Sequence, residues 1–162
     1  MKIAVYPGSF DPVTLGHRNI IERAASVFDK LYVCVMVNSE KKPLFTRDER
    51  VELIKRCCRH LPNVEVETSD GLLVDYAAQK GACAIVKGLR AVSDFDWEFQ
   101  MALANKKISP DIETMFMASS EKYMYLSSTV VKELGKYGTD LSDFVPAEII
   151  DDVIGKIKMG GK

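Results

Sequence analysis

A chain of 162 residues, 47% hydrophobic and 28% charged with a net charge of −1, has the composition of one ordinary globular domain, without the basic surface that nucleic acid requires. Its longest apolar run, residues 31–37, is far short of the ~20 residues of a membrane span, and Pro7 and Gly8 interrupt the first apolar run too early for a secretory leader. Cys34, Cys57, Cys58 and Cys83 sit in apolar contexts without CxxC spacing, which reads as buried thiols in a reducing cytoplasm, not as a zinc or redox centre.

Short apolar runs at residues 3–6, 31–37, 64–68, 84–87 and 114–117 read as five strands, separated by segments of helical periodicity. That alternation predicts a Rossmann-like α/β fold with a doubly wound, five-stranded parallel sheet and additional C-terminal helices, in a single domain over residues 1–162. The first strand runs into YPGSFDPVTLGHRNI, where Pro7, Gly8, Asp11 and Pro12 are expected to end it. A helix is expected to begin near Thr14, whose hydroxyl can cap it, with His17 in its first turn and Ile20, Ile21, Ala24, Val27 and Phe28 on its apolar stripe. Exposed N–H groups and the positive end of the helix dipole make such a turn an anion site.

Further along, Thr46 and Glu49 form a capping box ahead of Val51, Ile54, Cys58 and Leu61, and Gly81 is suited to close a helix over residues 72–80. Ser93 and Asp96 repeat the capping box ahead of Phe99, Leu103 and Ile108, where Trp97 reads more readily as core than as a ligand platform. Helices are expected at residues 128–136 and 146–158, with Pro146 in a first helical position and Gly160, Gly161 and Lys162 frayed.

In a doubly wound sheet, ligands bind beyond the carboxyl ends of the strands where the strand order reverses. The residues with chemical potential follow strands: Ser9 and His17 the first, Lys41 and Lys42 the second, Lys87, Gly88 and Arg90 the fourth, and Ser127, Ser128 and Thr129 the fifth. Arg90 beside an apolar strand requires an anionic partner, either Asp94 or a ligand. Three consecutive hydroxyl residues exceed the needs of one helix cap, so the surplus hydroxyls and N–H groups suit a second phosphate cradle. GxGxxG and Walker A patterns are both missing.

Thr14-Leu15-Gly16-His17 resembles the Gly-His signature of the nucleotidyltransferases. Together with Lys41-Lys42-Pro43, Gly88-Leu89-Arg90-Ala91-Val92 with Asp94, Phe95 and Glu98, and Leu126-Ser127-Ser128-Thr129, the order and spacing resemble the bacterial phosphopantetheine adenylyltransferases over essentially the whole chain. The resemblance implies adenylyl transfer from ATP to 4′-phosphopantetheine, giving dephospho-coenzyme A and pyrophosphate. It implies Mg²⁺ carried mainly by the ATP phosphates, and a homohexamer of two stacked trimers.

The same resemblance implies His17 as transition-state stabiliser, with ATP held by Ser9, Phe10, His17, Gly88, Leu89, Arg90, Glu98, Tyr123, Met124, Tyr125, Leu126, Ser127, Ser128 and Thr129. Ser9, Lys41, Leu73 and Lys87 would meet phosphopantetheine. Lys87 stands where many members carry Arg, which keeps the charge but not the forked grip. Other members of the superfamily, acting on nicotinate mononucleotide or using CTP, and a non-enzymatic nucleotide sensor, share the Gly-His turn and stay open as alternatives.

Overall fold

A computed structural model describes residues 1–37 and 42–160. In chain order the elements are β1 (Ile3–Gly8), α1 (Leu15–Val27), β2 (Lys30–Met36), α2 (Arg47–Cys57), β3 (Val64–Ser69), α3 (Leu73–Gln79), β4 (Ala84–Leu89), α4 (Val92–Ile108), β5 (Glu113–Ala118), α5 (Ser128–Lys136) and α6 (Ile150–Gly160). All five strands are parallel, in the order β3-β2-β1-β4-β5, so the winding reverses between β1 and β4. This is the predicted Rossmann-like sheet.

The alternation of side chains along the strands divides the core. Ala4, Tyr6, Leu31, Val33, Val35 and Val86 face α1, α2, α5 and α6, whereas Val5, Cys34 and Ile85 face α3 through Val74, Tyr76 and Ala77. Ile54 and Cys58 are buried as expected, with Val51 and Leu61 partly buried against the same core, although α2 ends at Cys57. Gly81 closes α3 with a φ of 65°, a left-handed conformation that costs glycine little.

Pro7 and Gly8 do not end β1, contrary to expectation; they continue it in register with Cys34 and Val35 of β2. The Ile3 carbonyl accepts from the Cys83 N–H, so residues 3, 5 and 7 direct their backbone groups toward β4. Pairing with β4 extends only through Ala4 and Val5. The donor that Pro7 lacks therefore falls on the side where the sheet has already opened, and its absence breaks no ladder.

Other expectations shift by small amounts. Helix α4 begins at Val92 with Ala91 as its N-cap, so Ser93 lies inside the helix, and its side chain is outside the described part of the structure. The Asp94 carboxylate accepts from the Arg90 N–H just ahead of that helix. Pro146 precedes a 3₁₀ turn (Ala147–Ile149) instead of opening the last helix. Gly160 is the last helical residue, and the expectation for Gly161 and Lys162 falls outside the described residues.

Three thiols are buried and pushed up, Cys34 to about 11 and Cys57 and Cys58 to about 12, because burial disfavours the thiolate. Cys83 departs from the expectation and is exposed. The larger departure is α4. Trp97 is 63% exposed, and Phe99, Leu103 and Ile108 are 44%, 57% and 56% exposed, so the apolar residues of this helix lie outside the core of the single chain.

The Thr46 hydroxyl accepts from the Glu49 N–H, and the Glu49 carboxylate accepts from the Thr46 N–H while pairing with Lys156 of α6 at 2.7 Å. Replacing Thr46 by Ala removes half of this reciprocal cap and is expected to cost about 1 kcal/mol. In a domain of this size that is a fall in Tm of about 2–4 °C, measurable by calorimetry.

Candidate active site

Where β1 and β4 part, the carboxyl ends of the strands and the first turns of α1 and α5 enclose a cavity of about 310 Å³. It is lined by residues from four segments: Tyr6 to Phe10 with Thr14, Gly16, His17 and Ile20; Lys87, Gly88 and Arg90; Asp94 and Glu98; and Ser119, Tyr123, Leu126, Ser127 and Ser128. The structure thus brings together Ser9, Phe10, His17, Lys87, Gly88, Arg90, Glu98, Tyr123, Leu126, Ser127 and Ser128 from the predicted set.

Other predicted residues lie elsewhere. Leu89 does not line the cavity, and its carbonyl accepts from the Ser119 N–H at 2.8 Å. Met124 and Tyr125 are 51% and 57% exposed, and Thr129 is exposed beyond the lining. Leu73 opens α3 and packs against the core on the other face of the sheet. Lys41 lies outside the described residues, and Lys42 is exposed.

The first turn of α1 fixes the state of the imidazole. Thr14 is the N-cap; its hydroxyl accepts from the His17 N–H, and its own N–H donates to His17 Nδ1 at 3.0 Å. His17 thus takes the place that Glu holds in an ordinary capping box. Because Nδ1 accepts, the neutral ring carries its proton on Nε2. Burial, and secondarily the positive charge of Arg90, push the imidazole down to about 4, so it is uncharged at neutral pH.

The Phe10 ring stands edge-on to the imidazole, 5.0 Å away at 75°, and edge-on to Tyr6 at 5.3 Å. Tyr6 is itself buried, and the loss of solvation raises its phenol well above the usual range. Gly8 leaves room for this stack, since a Cβ there would come within 2.8 Å of Phe10 Cζ.

Of the first-turn donors of α1, the Leu15 N–H is bonded to the Phe144 carbonyl and the His17 N–H to Thr14. Among the described residues the Gly16 N–H is left open. The hydroxyls at the start of α5 are also engaged: Ser127 accepts from the Val130 N–H, and Ser128 donates to the Pro12 carbonyl at 2.7 Å. These two hydroxyls serve as cap and brace.

Arg90 meets Asp94, as the sequence required of a cation in this place. Its Nε donates to Asp94 Oδ2 at 3.2 Å, while Nη1 donates to the Leu126 carbonyl at 3.0 Å and so joins the segment after β4 to the one before α5. Lys87 pairs with Glu98 at 3.2 Å. Asp94 and Glu98 are spaced i, i+4 on α4, so one helix face presents both carboxylates to the two cations of the pocket.

Asp11 was read from sequence only as a turn former. In the structure it is 7% exposed, accepts from the Leu44 and Phe45 N–H groups at 2.8 Å each, and lies 3.7 Å from Lys132 of α5. Tyr6 and Ser119 are further lining residues that gave no signal, since a strand tyrosine and a loop serine are commonplace. Among the described residues, no three His, Cys, Asp or Glu side chains converge as metal ligands.

The model of the cytidylyltransferase-like family matches residues 5–134. The chain is 55% identical over 158 residues to the phosphopantetheine adenylyltransferase of Caldanaerobacter subterraneus subsp. tengcongensis, covering 98% of this chain and 99% of that one. It is 57% identical over 159 residues to the protein of that name from Clostridium botulinum, covering 98% and 100%. Among solved structures, one assigned as a nicotinate-nucleotide adenylyltransferase from Vibrio parahaemolyticus superposes with a TM-score of 0.68 at 20% identity over 96% of both chains. A lipopolysaccharide core biosynthesis protein from Thermoplasma volcanium gives 0.58 at 20% identity over 75% of this chain and 99% of that one, and both likenesses speak for the fold alone. A cavity at the winding reversal, a neutral first-turn imidazole and full-length identity above half therefore lead to one conclusion: this chain belongs to the phosphopantetheine adenylyltransferase family of cytidylyltransferase-like nucleotidyltransferases.

Proposed function

We propose that the protein transfers the adenylyl group of ATP to the phosphate of 4′-phosphopantetheine, giving dephospho-coenzyme A and pyrophosphate. The observation that carries this reading is the neutral His17, held as an Nε2–H donor by the Thr14 N–H in a pocket whose other walls present Arg90, Lys87 and the start of α5. A phosphate monoester is a competent nucleophile at neutral pH, so the chemistry needs no general base. It needs two polyanions brought in line and their charge offset while pyrophosphate leaves.

In this reading His17 Nε2–H donates to a non-bridging oxygen of the α-phosphate, and the hydrogen bond strengthens as charge builds in the transition state. Arg90 and the N–H groups opening α5 receive the β- and γ-phosphates. Lys87 and Ser9 receive the acceptor phosphate; family resemblance alone adds Lys41 to them and gives Leu73, outside the cavity lining, a contact with the pantetheine arm. Glu98, with Phe10, Leu89 and residues 123–129, borders the nucleoside.

Binding exchanges partners at the cations: the pairs Arg90–Asp94 and Lys87–Glu98 hold charge in the pocket that phosphate oxygens then share. Mg²⁺, when bound with the triphosphate, would supply charge neutralisation there. The two pocket carboxylates, already engaged by cations, suit outer contacts to such an ion better than a protein cage.

The exposed apolar face of α4 and β5, with Phe95, Trp97, Phe99, Leu103, Ile108 and Met115, supports the homohexamer that family membership suggests. Its charge and free thiols suit the cytoplasm, and no described helix is long and apolar enough to cross a membrane.

Incubation with ATP, Mg²⁺ and 4′-phosphopantetheine should release pyrophosphate and yield dephospho-coenzyme A by mass spectrometry. Release with nicotinate mononucleotide instead, or only with CTP, would replace the reading by its superfamily alternatives, and ATP binding without release would favour a sensor. Replacing His17 by Ala should lower kcat by about 10²–10³ with a smaller effect on KM for ATP.

Proton linkage gives a second expectation. Unfolded His17 takes up a proton below its ordinary 6.5, whereas the native ring resists until about 4. The native state therefore binds fewer protons across that window and loses stability as pH falls from 6.5 through about 4. Urea melts of wild-type protein and His17→Asn should converge in stability across that window, as only the wild type carries this contribution. For assembly, light scattering should return six times the 18.1 kDa chain mass, and Leu103→Glu should give smaller species.

A further inference from the structure

Phe10 has a φ of 50°, a left-handed conformation that a bulky side chain keeps only where its surroundings enforce it. The residues on either side of it are tied to buried charges. After it, Asp11 accepts the Leu44 and Phe45 N–H groups. Before it, the Ser9 carbonyl accepts from Arg50 Nη1 at 2.9 Å, and Arg50 Nε makes a longer bond of 3.4 Å to the Thr46 carbonyl.

Arg50 is 5% exposed and projects from the first turn of α2, an element outside the pocket lining. A guanidinium is costly to bury, and here its fork links the N-cap of α2 to the turn after β1. The ring of the strained residue in turn stands edge-on to the imidazole of His17.

We propose that Arg50 is a positioning residue for adenylyl transfer: by holding the Ser9 carbonyl it keeps Phe10 left-handed, and the Phe10 ring then fixes the His17 imidazole at the reacting phosphorus. Without that donor the turn relaxes toward ordinary φ, the Phe10 ring withdraws, and the imidazole gains freedom about its bond to Thr14. The groups proposed to hold the β- and γ-phosphates, Arg90 and the N–H groups opening α5, lie outside this turn, so the loss falls on turnover more than on nucleotide affinity. The inference rests on the adenylyl-transfer reading.

The test compares wild type with Arg50→Met and with Arg50→Gln, whose amide is too short to reach Ser9; either variant that folds suffices. At saturating ATP and 4′-phosphopantetheine, kcat should fall by up to about 10²-fold, the effect of a small misplacement, while KM for ATP changes by less than about threefold. The chain has two histidines, so ¹⁵N-histidine spectra report the ring directly and need no turnover. The His17 nitrogen shifts should move in the variants while those of exposed His60, paired with Glu22 on the surface, stay in place. A folded variant with wild-type kcat, or with unmoved His17 resonances, overturns the proposal. Wild-type protein inert toward the substrate pair would instead defeat the functional reading, leaving the ring shifts to decide the link between Arg50 and His17.

Discussion

The site depends on one hydrogen bond, from the Thr14 N–H to Nδ1 of His17. It satisfies a backbone donor that the start of a helix would otherwise leave open, and it settles which ring nitrogen carries the proton. A structural need of the helix and a chemical need of the site are met by the same contact. Burial contributes to the same end, because it disfavours the charged ring, and the nearby positive charge of Arg90 adds to the effect.

Around that bond the fold gathers groups far apart in sequence. Asp11 ties the turn after β1 to residues 44 and 45 and to α5, Ser128 braces α5 on Pro12, and Arg90 spans from Asp94 to Leu126. The Ser128 and Arg90 braces cross between segments that border the cavity, and the Asp11 bonds anchor one of those segments to residues outside it, so the pocket is organised before a ligand enters. The paired charges of Arg90 with Asp94 and Lys87 with Glu98 keep the cations extended toward the cavity without leaving them uncompensated.

Much of this was legible in the residues. Period-two and period-3.6 patterning marked five strands and their helices, and the cap at Thr14 followed from a hydroxyl ahead of an apolar stripe. The rule that ligands meet strand carboxyl ends gathered most of the pocket. The failures have physical causes. Local rules for Pro7 assume a neighbour on both sides of the strand, and the sheet has opened on one. Periodicity marks an apolar face on α4 but cannot tell whether the chain itself covers that face, and here it does not. Counting hydroxyls at residues 127–129 could not show that Ser127 caps its own helix or that Ser128 reaches Pro12 across the fold. Asp11 and Arg50 gave no signal because their roles exist only across contacts of long sequence separation.

Pro7 has a consequence for the width of the cleft. Parallel strands that diverge can zip together again when each offers the other an N–H and a carbonyl. At the point where β1 leaves β4, the imino ring offers no hydrogen to that seam. The gap is propped by covalent chemistry, at no cost to the ligand, and the sheet itself has no means of sealing its own mouth there.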